Sequence, residues 1–106
     1  MDILNSTMMR SIMRLSEDEI VTLKSSLQRL SKEAKLYLFG SRTDDTKRGG
    51  DIDLLVVSKE LDAKDLRRLK FDFYDRFGEQ KIDIVLDNGT QSPVFIELIK
   101  QKALEL

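Results

Sequence analysis

The chain has 106 residues, 41% of them hydrophobic and 35% charged, with a formal net charge of −1. That length and balance specify one folded domain with a modest core, and the near-neutral charge excludes the broad basic field of nonspecific nucleic-acid binders, so no direct DNA binding is expected. The sequence contains neither cysteine nor histidine, which removes disulfides, thiolate and imidazole metal sites and Ser-His-Asp catalysis, and leaves carboxylates, Lys, Tyr, Ser or oxygen-bound magnesium or manganese to do any chemistry.

No apolar run approaches the ~20 residues that span a bilayer. The first residues lack the basic start, apolar run and cleavage site of a signal peptide. A cytoplasmic location away from membranes is the expectation. Residues 1–15 are read as a helical or flexible leader, with Leu4, Met8, Ile12 and Leu15 at helical spacing. All four methionines lie in it. Two uses are open for this leader: a helix docked on the rest of the chain, or a stripe for a partner, since methionine adapts to varied surfaces.

Residues 16–106 are assigned to the folded domain. Ser16 and Glu19 form a capping box, and Leu15 and Ile20 occupy staple positions. The stripe Ile20, Leu23, Leu27 and Leu30 predicts a helix running to about Ala34. Lys35–Phe39 predicts a short strand. Gly40-Ser41 follows at once, and a polar loop, RTDDTKRGG, leads into a second strand over Asp51–Val57. Asp62 caps a further helix with Leu61 and Leu66 as its staple, a buried stripe of Leu66, Leu69, Phe73 and Phe77, and Gly78 as its stop. Phe71 falls on the opposite side from that stripe, as an ordinary exposed aromatic or a partner contact. Lys81–Leu86 predicts a third strand. Asp87-Asn88-Gly89 reads as a turn, and Ser92-Pro93 opens a last helix continuing through Lys102.

The chemistry-bearing residues lie on the second and third strands. Strand side chains alternate between faces, so Asp51 and Asp53 project together, roughly 7 Å apart, with Ile52 and Leu54 on the other side. Aspartate is a poor strand former. Two carboxylates heading an apolar strand repel each other and resist burial, a conflict that a divalent cation resolves. Asp83 interrupts another apolar strand. If the two strands are neighbours, the three carboxylates converge and can hold two hard cations about 3.5–4 Å apart, the arrangement for in-line displacement at a phosphate. Asp83 also suits general-base duty toward an incoming hydroxyl.

Each fragment alone is weak: an amphipathic strand with solvent-facing carboxylates explains most Asp-x-Asp pairs. Gly40-Ser41 adds weight, because glycine lets backbone approach a phosphate and the Ser41 hydroxyl can donate to it. Arg42, Lys47 and Arg48 lie in or beside the same loop, where they could neutralise phosphate or simply be solvated. The loop lacks the spacing of a P-loop or an EF-hand.

Together, LYLFGSRTDDTKRGGDIDLLVV and the later KIDIVL resemble the signature of the DNA polymerase β-type nucleotidyltransferase superfamily. In that pattern an apolar strand, Gly-Ser, a polar loop and Asp-x-Asp are completed by a third carboxylate. The small size resembles the minimal nucleotidyltransferases often paired with a HEPN-domain protein. The resemblance implies an α/β (α+β) nucleotidyltransferase fold, with a small mixed sheet flanked by helices. It implies Mg2+, in a two-metal site, on Asp51, Asp53 and Asp83, and ATP as substrate with Gly40, Ser41, Arg42 and Arg48 at the nucleotide. It further implies AMP transfer to a hydroxyl, a tyrosine in the characterised systems, of a HEPN-type toxin, with this chain as antitoxin. A non-catalytic module that neutralises its partner by binding nucleotide or partner is the alternative.

Overall fold

The computed structural model describes residues 15–40 and 52–106. In chain order these form α1 (Glu17–Leu30), β1 (Lys35–Phe39), β2 (Ile52–Val57), α2 (Ala63–Phe77), β3 (Ile82–Asp87), α3 (Pro93–Lys100) and β4 (Leu104–Glu105). The strands make one mixed sheet in the order β3-β2-β1-β4. β1 runs antiparallel to both β2 and β4, and β2 and β3 are parallel. The parallel pair requires a crossover, and α2 supplies it. The small mixed α/β architecture agrees with the expectation.

Alternation along the strands divides the sheet into two faces. Leu36, Leu38, Ile52, Leu54, Val56 and Ile82 point one way and are buried with Leu23 and Leu27 of α1 and Leu69 and Phe73 of α2. The other face carries Tyr37, Phe39, Asp53, Leu55 and Asp83, set by the register Phe39↔Asp53↔Asp83 and Tyr37↔Leu55. Leu55 is fully buried on that second face, so both sides of β2 are covered at mid-strand and only its ends meet solvent.

Caps fix where the helices begin. The Ser16 hydroxyl accepts from the Glu19 amide at 3.1 Å, and the Glu19 carboxylate accepts from the Ser16 amide at 2.9 Å. Leu15 and Ile20, the staple pair, are both buried. α1 stops at Leu30, short of the expected Ala34. Ser31 is buried in an extended conformation (φ −155°), with its amide donating to the Leu27 carbonyl and its hydroxyl donating to Glu60 at 3.2 Å. A long-range hydrogen bond thus overrides the local helical pattern.

α2 opens on a second capping box. Asp62 accepts from the amides of Lys64 and Asp65 at 3.0 and 3.2 Å, and Asp65 accepts from the Asp62 amide at 2.9 Å. The Asp65 amide, first among several contacts, lowers the Asp62 pKa below its ordinary value. A carboxylate depressed in the folded state stabilises above its unfolded pKa, and loses that contribution as pH falls through the folded one. Asp62→Asn is therefore expected to flatten the acid limb of stability below about pH 4, where the wild type declines. Urea midpoints followed from neutral pH downward check this.

Toward the C-terminus the structure departs from expectation twice. α3 ends at Lys100 instead of continuing through Lys102, and Leu104–Glu105 forms a short strand on the free side of β1. The Leu106 amide donates to the Leu36 carbonyl at 2.9 Å. Edge backbone groups of β1 offer more hydrogen bonds than a last frayed turn of helix. Within α3 it is Ile96 that is buried, while Phe95 and Leu98 are exposed. No helix among the described residues is long and apolar enough to cross a membrane.

Candidate active site

The site is built where three strands bring their ends together. Asp53 is the second residue of β2, flanked in register by Phe39 of β1 on one side and Asp83 of β3 on the other. Residues opposed in register across a sheet project to the same face, with β-carbons about 4.5–5.5 Å apart. Asp53 and Asp83 therefore share a face, and the sequence condition that their strands be neighbours is met. Asp53 is half-buried and Asp83 exposed. The pair thus grades from the core outward, with its outer member open to an incoming group.

Gly40 follows Phe39 directly and lies against Asp53. Its φ of +76° is in the left-handed region, and a β-carbon built on it would overlap the Asp53 carboxylate, coming within 2.9 Å of Cγ. The sequence points to a glycine that admits a phosphate to the backbone. The structure adds a second demand: Gly40 leaves the space that the Asp53 carboxyl occupies. Both restrictions act on Gly40→Ala, which must take a strained conformation and also displace the carboxylate. It is expected to destabilise the fold by about 1–2 kcal/mol from backbone strain alone. A thermal melt beside a nucleotide-binding titration measures the two consequences separately.

Asp51, Ser41, Arg42, Lys47 and Arg48 lie outside the described residues. Among the described residues no three acidic side chains form a metal-holding group. Asp53 and Asp83 are two of the three proposed ligands, and their shared face and all-oxygen donor set suit a hard cation.

Asp87, expected from the sequence to open a turn, is instead the last residue of β3. It lies two alternations beyond Asp83 on the same face, and its carboxylate meets Lys100 of α3 at 3.8 Å. This ion pair ties α3 to the second face and neutralises the far end of the acidic row. The period-two spacing of Asp83, Val85 and Asp87 carried that signal in the sequence. A depression of about 1090 Å3 lies elsewhere, at the C-terminal end of α1, lined by Arg29, Lys32, Glu33 and Glu60 among others. Its charges are mixed and on the surface, and neither Asp53 nor Asp83 borders it.

The described site is thus two aspartates from parallel strands sharing one face of a mixed sheet, with Gly40 against the inner one. The family model described as "Polymerase beta, Nucleotidyltransferase" matches residues 21–105, and the chain belongs to that family. A search of curated proteins found no match.

Proposed function

We propose that this protein is a magnesium-dependent transferase that moves AMP from ATP to a hydroxyl, a tyrosine of a HEPN-type partner toxin, and thereby acts as its antitoxin. One observation carries the transferase chemistry: Asp53 and Asp83 stand in register on one face, with Gly40 against Asp53. Family membership supports nucleotidyl transfer, and the small domain resembles the minimal members that act on such toxins.

In the transfer, the acceptor oxygen attacks the α-phosphorus. The bond from that phosphorus to the oxygen bridging to the β-phosphate breaks, and pyrophosphate leaves with the bond's electrons. Asp83, exposed at the outer position, takes the proton of the acceptor hydroxyl. Asp53, held deeper between β1 and β3, fixes the electrostatic centre of the site. Gly40 and Ser41 hold the triphosphate through backbone and hydroxyl donors, with Arg42 and Arg48 balancing its charge. Asp51, Asp53 and Asp83 would hold a divalent cation, which would supply neutralisation of the triphosphate and of the leaving pyrophosphate.

Incubation with ATP labelled at the α-phosphate, magnesium and the partner tests this. Label is expected on the partner with the wild type and not with Asp53→Ala. An unlabelled partner, or equal labelling by both proteins, rejects the proposal. The exposed ring of Phe71, 65% accessible on the outer side of α2, favours a second reading, in which the chain neutralises its partner by covering it. Protection from the partner that survives Asp53→Ala but fails in Phe71→Ala would select that alternative.

A further inference from the structure

β3 is an outer strand of the sheet, and among the described residues no strand pairs with its far side. The Ile52 amide donates to the Lys81 carbonyl at 2.9 Å and the Ser58 amide donates to the Asp87 carbonyl at 3.0 Å. Backbone direction alternates along a strand, so the odd-numbered residues of β3 face β2. The amides and carbonyls of Ile82, Ile84 and Leu86 face outward. The opposite edge, β4, has two residues and offers no comparable row.

Beside the open edge lies a groove of about 520 Å3, whose lining includes Ile84 and Leu86 of β3, Leu66 of α2, Phe95 of α3, and Asp62. Phe95 is 45% exposed, although aromatic and on a largely apolar helix. The groove starts one residue beyond Asp83, the residue to which the transfer chemistry assigns the acceptor proton.

We infer that the β3 edge is the acceptor-binding site, and that the acceptor is an extended peptide segment that adds to the sheet as a fifth strand. This deepens the transferase proposal and rests on it for the chemistry, though not for the binding. An outward row of alternating donors and acceptors is complementary to extended backbone. A residue paired across from Asp83 projects on the same face as that carboxylate at cross-strand distance, which sets its hydroxyl beside the base. A residue two positions along is level with Val85, which also lines the groove, and projects with it on the second face toward Phe95, so an apolar side chain is selected there. Asp62, exposed at the rim of the groove, adds negative charge beside the edge, which favours a lysine or arginine in the segment.

Charge and shape both distinguish this occupant from a second copy of the chain. Antiparallel self-pairing centred on Val85 sets Asp83 opposite the copy's Asp87, an acidic residue whose Lys100 is already engaged, so the pairing brings no charge complementarity. A copy also carries the same Leu66 and Phe95 walls, whereas a single extended segment fits between them.

The test is a backbone N-methyl walk along synthetic peptides bearing one tyrosine, a leucine two residues away and a flanking lysine. Binding is read by fluorescence anisotropy without nucleotide, and label transfer is read with α-labelled ATP and magnesium. N-methylation at alternate residues is expected to weaken binding about tenfold while the intervening positions tolerate it, because only alternate amides face β3. Phe95→Glu is expected to weaken peptide binding to a similar degree and leave ATP binding unchanged. A flat response to N-methylation overturns the edge site, even if peptides are labelled. Peptides that bind with the two-residue period but never take label uphold the edge site and reject the transferase proposal. A dimer in sedimentation that Phe95→Glu dissociates overturns the peptide as occupant and assigns the edge to a second copy.

Discussion

Asp53→Asn is expected to reduce nucleotidyl transfer by about three orders of magnitude, the range seen when a preorganised electrostatic group is removed from a reaction centre. The amide keeps the shape of the carboxylate side chain and fits the room left by Gly40, so the fold is expected to survive with a loss of no more than about 1 kcal/mol. Loss of activity with the melt retained separates a site effect from unfolding. Magnesium gives an independent readout. A ligand that binds only the folded state stabilises it by about 1.4 kcal/mol at ten times its dissociation constant. The wild type is therefore expected to melt higher with magnesium, and Asp53→Asn to melt at the same temperature with and without it. Equal magnesium shifts in the two proteins would remove Asp53 from the proposed ligand set.

Phe73→Ala is expected to be the most damaging single change in the core. Phe73 is fully buried on α2, in the layer that joins α1 and α2 to the sheet, and its ring stacks at a tilt on Phe77 with centroids 4.9 Å apart. Replacing a buried phenylalanine by alanine costs about 3–5 kcal/mol through lost transfer energy and the remaining cavity. Domains of this size have about 5–15 kcal/mol in all, so the variant approaches the threshold of folding. The nearby surface ion pairs of Asp72 with Arg29 and Arg68, both 3.7 Å, offer little compensation, because exposed pairs contribute about 0–1 kcal/mol. Denaturant midpoints at fixed protein concentration measure the loss. A cost under about 1 kcal/mol would show that the α2–sheet layer repacks freely and that Phe73 is not its keystone.

Family relationship and chemical role stand at different depths in this chain. The match over residues 21–105 establishes the nucleotidyltransferase family. The acceptor, the metal and the partner are proposals, resting on the placement of Asp53, Asp83 and Gly40 and on resemblance to the minimal members. α-Labelled ATP tests the transfer, magnesium-dependent melting tests the metal, and the N-methyl walk tests the acceptor.

Sequence alone determined what is encoded within a few residues. Ser16 carries its capping partner Glu19 three positions away, and Asp62 with the Leu61 and Leu66 staple marks the start of α2. The stripes of α1 and α2 recur every three or four residues, and Asp53 among apolar neighbours stands out within one strand. Tertiary structure decided what depends on distant chain. Ser31 leaves the helix because Glu60 takes its hydroxyl, and Leu104–Glu105 becomes a strand because β1 has an open edge. Likewise Asp53 meets Asp83 only because β2 and β3 lie parallel in one particular register. Local patterns follow from backbone geometry and capping chemistry. Register and strand order follow from burying both faces of a sheet at once, a condition on the whole chain that no short segment contains.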